Sequence, residues 1–264
     1  MTNAPQAVTA SSGASISADA RASLRSSQEL RQLVADGIAE LGITAAGDGT
    51  PGRDAAARDV IAWAARTFGD RWALTASMQD TVLAHLVSQV APGTDVLFLE
   101  TGYHFPQTLA TRDAVRERYD LTIRDLRAAQ STAEQDADYG KDLFATNPDL
   151  CCFLRKEVPL DEVMEEYEAW ATGARRAEAV TRRATPQIAY DERRDRVKIA
   201  PLAAWSDEQV EAYATEHDVV RNPLLDQGYP SIGCAPCTRK VLPGEDPRAG
   251  RWSGQNKIEC GINV

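Results

Sequence analysis

The spacing of apolar residues in the first half of the chain predicts helices and strands in alternation. Helices are indicated where apolar residues return every three or four positions, and buried strands where they form short continuous runs. The predicted order is a helix over 58–68, a strand over 72–76, a helix over 81–90, a strand over 95–99, a helix over 107–119 and a strand over 121–126. This alternation is typical of an α/β fold with a mostly parallel sheet that helices cover on both faces.

The second half of the chain continues this pattern and then loses it. Strands are predicted over 168–172 and 196–200, and a helix is predicted from Ser206, because Ser206 and Gln209 have the spacing of a capping box. After Asn222 the chain is rich in glycine and proline, which indicates an irregular arm laid over the core. We therefore predict three parts: a disordered Ala/Ser/Thr-rich tail with a leading helix (1–50), an α/β core (51–230) and a carboxyl-terminal arm (231–264).

Composition narrows the class of protein. The 264 residues are 43% hydrophobic and 26% charged, which is enough apolar material for a sizeable core. The net charge of −10 does not favour general nucleic-acid binding. Since neither an apolar run of membrane-spanning length nor a signal-peptide pattern is visible, we expect no membrane partner and a cytoplasmic location.

The five cysteines form two pairs and one isolated residue. The pairs are Cys151–Cys152 and Cys234–Cys237, and Cys260 stands alone near the end of the chain. In a reducing cytoplasm, clustered cysteines more often hold metal than form disulfides. A C-x-x-C loop brings two thiolates to one centre, and a second pair completes four ligands. A four-iron cluster ranks first and zinc second, while a vicinal disulfide and a thioredoxin-like C-x-x-C rank well behind.

Two further features have both a functional and a plain structural interpretation. The loop "SMQD" after the strand over 72–76 offers the Ser77 hydroxyl and a helix start to an anion, but Ser77 or Asp80 could simply cap that helix. The stretch alone favours the cap, and it lacks the glycines of a dinucleotide or Walker loop. The arginines near 175–183 and 239–257 indicate an anion pocket or, taken singly, a solvated surface.

Several motifs together resemble one family, the assimilatory adenylyl-sulfate reductases, which are close relatives of the phosphoadenylyl-sulfate reductases. The resemblance runs from about Trp72 to the end of the chain and includes "SMQD", "LETGYHFPQTL", "CCFLRK", "WATGARR", "NPLLDQGYPSIGCAPCTRKVLPGEDPRAGRWSG" and "KIECGIN". Two positions depart from the family pattern, with Glu100 where Asp is usual and Asn263 in place of a terminal His. A slower reaction or an altered pH profile is expected from Asn263.

The resemblance implies a fold, a cofactor and a reaction. The fold is that of the adenine nucleotide alpha hydrolases, and the cofactor is a 4Fe-4S cluster on Cys151, Cys152, Cys234 and Cys237. The reaction, part of sulfate assimilation, reduces adenylyl sulfate to sulfite and AMP through an S-sulfocysteine, with thioredoxin or a similar dithiol protein as reductant. The arm would carry part of the cluster site and the catalytic thiol. The implied nucleophile is Cys260, and the implied substrate-binding residues are Ser77, Asp80, Lys156, Arg175, Arg176, Arg248 and Arg251.

Three other functions stay open on the sequence. A cluster-bearing reductase could instead use phosphoadenylyl sulfate, because the pocket around the ribose 3′ position cannot be located. An ATP-using ligase or sulfurylase on the same core would lack its glycine-rich loop and would leave Cys260 unexplained. A zinc-stapled, non-catalytic binding module would also leave Cys260 without a role. The sequence leaves a homo-oligomer open as well.

Overall fold

The structure of the protein is a computed structural model that describes residues 24–44 and 52–262. Residues 1–23 and 45–50 of the predicted amino-terminal part (1–50), and with them most of the tail expected there, lie outside these described residues, as does Asn263.

A six-stranded sheet is flanked by helices. The strands are β1 (Trp72–Thr75), β2 (Asp95–Glu100), β3 (Thr122–Arg127), β4 (Ala169–Thr172), β5 (Ile188–Asp191) and β6 (Arg196–Ile199). The helices are α1 (Ser27–Glu40), α2 (Ala57–Phe68), α3 (Val82–Val90), α4 (Pro106–Arg118), α5 (Thr132–Tyr139), α6 (Leu143–Thr146), α7 (Pro148–Cys152), α8 (Val158–Met164) and α9 (Asp207–Glu216). A π-helical segment, Phe153–Glu157, joins α7 to α8.

The strand order is β3-β2-β1-β4-β6-β5. All neighbours are parallel except β5 and β6, so the predicted mostly parallel sheet is confirmed. Strand β5 was not predicted, and it forms an antiparallel edge hairpin with β6. From β1 the chain adds β2 and β3 on one side of the sheet, and it then adds β4, β6 and β5 on the other side. This reversal between β1 and β4 leaves a crevice at the carboxyl ends of these two strands.

The two faces of the sheet are buried under different helices. Trp72 and Leu74 of β1 pack with α2 and α3 in the larger apolar core, whereas Ala73 between them packs on the other face against Leu160 and Met164 of α8. This alternation is the period of two that a strand buried on both faces requires. The prediction that helices cover both faces is therefore confirmed.

The described residues after α9, 217–262, have little regular structure, and we call this whole segment the arm from here on. It contains two short 3-10 turns, Leu225–Gln227 and Ala235–Cys237, and one isolated bridge between Thr238 and Arg251. The predicted capping box begins α9, because Ser206 Oγ accepts from the Gln209 N–H at 3.2 Å and Gln209 Oε1 accepts from the Ser206 N–H at 2.9 Å. Within residues 24–44 and 52–262, no helix combines the length and apolarity that crossing a membrane requires.

Candidate active site

A cavity with a volume of about 850 Å³ lies at the reversal point of the sheet. The segments that follow β1 and β4 form part of its lining, and the carboxyl-terminal arm forms another part. Ligands of open α/β sheets bind in this position, because the loops that follow the two adjacent strands lead away from each other and leave a crevice between them. The cavity brings together all the residues predicted to bind substrate and the predicted nucleophile, namely Ser77, Asp80, Lys156, Arg175, Arg176, Arg248, Arg251 and Cys260.

The "SMQD" loop adopts an unusual backbone that the arm holds in place. Met78 and Thr81 have φ values of 57° and 52°, in the left-handed region that residues other than glycine rarely adopt. Asn222, which is fully buried, donates from Nδ2 to the Met78 carbonyl at 3.1 Å and from its backbone N–H to the Gln79 carbonyl at 3.0 Å. Such strain persists only where the surroundings determine it. The arm therefore sets the shape of this loop.

Asp80 has a structural contact of its own. Its Oδ1 accepts a hydrogen bond at 3.1 Å from the N–H of Val82, the first residue of α3. The capping position itself is held by Thr81, whose side chain makes no capping hydrogen bond. Burial raises the pKa of Asp80, and the bond from Val82 acts in the opposite direction. Ser77 also lines the cavity. The substrate contacts of both residues remain predictions.

The arginine pair after β4 is engaged in internal ion pairs. Arg175 is buried and donates to Asp207 at 2.7 Å, and Arg176 forms a bidentate pair with Asp54 at 2.6 and 2.9 Å. Bidentate guanidinium–carboxylate pairs fix the orientation of both partners. Both arginines therefore hold neighbouring segments together, and a direct role in binding substrate remains a prediction for them.

The π-helical segment after the Cys151–Cys152 pair has an identifiable cause. Pro159 in α8 lacks an N–H, and in a regular helix its ring would collide with the carbonyl of Arg155 four residues earlier. The helix widens instead, and the Val158 N–H donates to the Phe153 carbonyl in an i→i−5 bond. π segments of this kind are frequent at functional sites. This one carries Lys156, which lines both the large cavity and the pocket of the paired cysteines.

The two cysteine pairs meet at a second, small pocket. Cys151, Cys152, Cys234 and Cys237 all line it, and all four are free thiols. The hydroxyl of Thr101 lies 3.4 Å from Cys234 Sγ. In the described part of the chain, no three His, Cys, Asp or Glu side chains are arranged so as to hold a single metal ion. Two pairs of thiols from separate segments of the chain therefore line one pocket.

Cys260 is docked beside this pocket. It is 6% exposed and packs against Cys152 and Trp252. A hydrogen bond from the Cys152 thiol is the largest cause that lowers the pKa of Cys260, burial opposes it, and the charge of Lys156 adds to the lowering. Burial alone would lower the pKa of Lys156, but the nearby thiolates outweigh it and raise that pKa. The contribution of Lys156 does not depend on a proton on Cys152, and a cation beside a cysteine favours its nucleophilic thiolate form.

Arg248 and Arg251 both line this cavity. Arg251 stacks on Trp252, with 4.5 Å from its Cζ to the ring centroid, and donates from Nη1 to the Ile232 carbonyl at 3.2 Å. The Nε atoms of both arginines are buried without a hydrogen-bond partner in the described structure. Two guanidinium groups in the lining of one cavity are suited to an anion, because a guanidinium can donate two parallel hydrogen bonds to it. The absent side chain of Gly233 permits this packing, since a Cβ there would lie 2.2 Å from Arg251.

Several contacts that hold the end of the chain were not predicted from the sequence. Glu259 is bound by Arg182 and Arg248, and Arg193 binds both the Gly261 carbonyl and Glu157. These residues are 11 to 77 positions apart in the chain. The available signals were that Arg182 belongs to the first arginine cluster and that Glu259 flanks Cys260.

These features define a class of protein: an α/β protein with a cavity at the reversal of its sheet, which arginine side chains and a buried thiol line together. The chain belongs to the family described as the phosphoadenosine phosphosulfate reductase domain, whose model matches residues 72–240. The family resemblance inferred from the sequence motifs is thereby confirmed.

Known relatives cover most of the chain. A protein of Streptomyces coelicolor named adenosine 5'-phosphosulfate reductase is 57% identical over 210 residues, which are 80% of this chain and 89% of the relative. A protein of Rhodococcus opacus with the same name is 49% identical over 246 residues, which are 89% of this chain and 95% of the relative. The crystal structure of phosphoadenylyl-sulfate reductase from Candida auris in a phosphate complex is similar with a TM-score of 0.61 and 33% identity, and covers 71% of this chain and 91% of that one.

Proposed function

We propose that the protein reduces adenylyl sulfate to sulfite and AMP through an S-sulfocysteine on Cys260, as a step of sulfate assimilation. The electron donor is thioredoxin or a similar dithiol protein. Membership of the family makes the chain an oxidoreductase that acts on a sulfur group. Relatives named for the reduction of adenosine 5'-phosphosulfate support this substrate.

The observation that carries the proposal is the placement of Cys260. Its thiol shares one cavity with the "SMQD" loop, where a nucleotide site is expected, and with the side chains of Arg248 and Arg251. Adenylyl sulfate has the matching order of parts: an adenosine, a phosphate and a terminal sulfate. An anion held by the two arginines places the sulfate sulfur next to the thiol.

The first step is a displacement at sulfur. The Cys260 thiolate forms an S–S bond to the sulfate sulfur, and the bond between that sulfur and the phosphate oxygen breaks, so AMP leaves with the electron pair. Lys156, Arg248 and Arg251 lie around this point and neutralise the charge of the phosphosulfate. The product on the enzyme is Cys260–S–SO₃⁻.

The second step requires a partner with two thiols. One thiolate of the partner attacks Cys260 Sγ, the S–S bond to the sulfonate breaks, and sulfite leaves with the bonding electrons. The partner's second thiolate then attacks the mixed disulfide and releases Cys260 as a thiolate and the partner as a disulfide. Because Cys260 is buried in the docked arm, this step requires the end of the chain to move outwards.

The two cysteine pairs supply the four thiolate ligands that a 4Fe-4S cluster takes. Four free thiols from two separate segments line one pocket. A structural zinc ion takes the same four ligands, so iron and acid-labile sulfide content distinguishes the two. Cys151, Cys152, Cys234 and Cys237 would hold the cluster. When bound, it supplies electrostatic stabilisation and order to the pocket, not the electrons of the reaction.

Sulfite release tests the proposal. Wild type and Cys260→Ser are compared with adenylyl sulfate and with phosphoadenylyl sulfate, each in the presence of thioredoxin. We expect wild type to release sulfite from adenylyl sulfate, and Cys260→Ser to bind the nucleotide but release none. A preference for phosphoadenylyl sulfate would show that this nucleotide, and not adenylyl sulfate, is the substrate. Full turnover by Cys260→Ser would exclude a mechanism through an S-sulfocysteine on Cys260.

A further inference from the structure

A buried carboxylate next to the catalytic thiol is bound by two arginines from different parts of the chain. Glu259 accepts from Arg182 Nε at 2.9 Å and Arg182 Nη2 at 2.8 Å, and from Arg248 Nη2 at 3.0 Å. The side chain of Glu259 is 7% exposed, and those of Arg182 and Arg248 are 12% and 14% exposed. We call these three residues the tail clasp. Charge-assisted hydrogen bonds shielded from water in this way are the strong ones.

The tail clasp is connected directly to the backbone of the nucleophile. Glu259 Oε1 also accepts the backbone N–H of Cys260 at 3.0 Å. On the other side of the thiol, Arg193 donates to the Gly261 carbonyl at 2.9 Å. The backbone is thus held immediately before and after Cys260, and the direction of the thiol depends on both contacts.

We infer that Glu259 is a positioning residue for Cys260, and that the tail clasp seats the thiol in the cavity. Arg248 donates from Nη2 to Glu259 and also lines the cavity in which the anion of the substrate is expected. One guanidinium can therefore contact both the carboxylate of the tail and the anion of the substrate. Docking of the tail and binding of the anion then support each other, since each orders the same side chain.

A second ion pair of the arm provides a matched control. Arg239 and Glu245 form a bidentate pair at 2.8 and 3.0 Å, but their side chains are 41% and 31% exposed, and neither lines the cavity. Glu245→Gln removes the same kind of contact from the same segment without touching the thiol. Exposed pairs of this type contribute little to stability.

Alkylation of Cys260 measures docking without turnover. The inference rests on the proposed catalytic role of Cys260. The alkylation rate does not depend on that role, so a failure of the inference can be distinguished from a failure of the proposed function. Full-length protein is treated with N-ethylmaleimide, and peptide mapping by mass spectrometry gives the rate at Cys260. We expect Glu259→Gln to raise this rate about tenfold or more, because a charge-assisted contact is lost. Glu245→Gln should leave it at the wild-type value.

Arg182→Gln separates docking from a purely electrostatic effect. Loss of the arginine charge would raise the pKa of Cys260 and slow alkylation, whereas loss of the Glu259 charge would speed it. If the loss of tail docking outweighs the change in the pKa of Cys260, both variants are alkylated faster than wild type. The double variant is then alkylated no faster than the faster single variant. Opposite effects of the two variants, or an unchanged rate in Glu259→Gln, would overturn the inference. Arg182→Lys, which keeps the charge but loses the bidentate geometry, replaces Arg182→Gln if that variant does not fold.

Kinetics provide the second readout. We expect Glu259→Gln to lower the rate of S-sulfocysteine formation about tenfold while the dissociation constant for AMP stays within about twofold, because the nucleotide cavity is intact. A parallel loss of AMP affinity would show that Glu259 supports the cavity as a whole, which would contradict a role in positioning the thiol.

Discussion

Gly261→Ala tests how closely the end of the chain must fit. A Cβ at this position would lie 2.0 Å from Oε1 and 2.4 Å from Cδ of Glu157. The φ angle of Gly261 lies outside the left-handed range, so the contact and not backbone strain decides the effect. Glu157 cannot easily move aside, because it is largely buried and paired with Arg193 at 2.6 Å.

The size of the effect follows from the distance. Ordinary van der Waals contact begins near 3.4 Å, so relief of the clash displaces the tail by more than about 1 Å if Glu157 stays in place. A misplacement of about 1 Å can lower a rate about 100-fold when reacting atoms must be aligned. We therefore expect formation of S-sulfocysteine to slow about 100-fold in Gly261→Ala, with unchanged affinity for AMP.

A single-turnover assay without reductant measures this step, with AMP release as the signal. The double variant Glu157→Ala/Gly261→Ala removes the obstruction and should recover part of the rate, which a general loss of folding would not allow. If Gly261→Ala reacts at the wild-type rate, Cys260 does not react from the docked position, and the reasoning is refuted.

Three further predictions concern the loop, the anion site and the cysteine pairs. Asn222→Ala should lower the free energy of unfolding by about 2–4 kcal/mol in a denaturant titration, because the Met78 carbonyl and the Thr108 hydroxyl lose buried partners. A change within experimental error would show that water replaces the side-chain amide of Asn222. Arg251→Ala should raise KM for adenylyl sulfate about 10- to 100-fold, since a charged donor to the anion is lost, and an unchanged KM would exclude Arg251 from the anion site. Cys237→Ser should lower the iron and acid-labile sulfide of the purified protein, as judged by metal analysis, whereas stoichiometric zinc and no iron in wild type would contradict the cluster.

The α/β core was predictable because its signals are local. Buried strands such as β1 and β2 are short apolar runs. The start of α9 is marked by a capping-box pattern, with Ser206 and Gln209 three positions apart. Strand β5 was missed because it lies at the sheet edge, where half-exposed residues such as Tyr190 replace a continuous apolar run. The π segment was missed because its cause, Pro159, resembles an ordinary proline in the first turn of a helix.

The composition of the site was more predictable than its contacts. Paired cysteines and clustered arginines are visible in the sequence, but which arginine faces the cavity depends on partners far along the chain. Arg176 pairs with Asp54 and Arg182 with Glu259, separations of 122 and 77 positions. No local pattern encodes such pairings, because only the folded sheet brings these segments together.

Labelling of the covalent intermediate tests the central claim most directly. Wild-type protein is incubated with adenylyl sulfate labelled in its sulfate group, without reductant, and the digested peptides are mapped. The account predicts one labelled sulfonate on Cys260, one AMP released per label, and discharge of the label as sulfite when thioredoxin is added. Label on another residue, or sulfite formation with Cys260 never labelled, would contradict it.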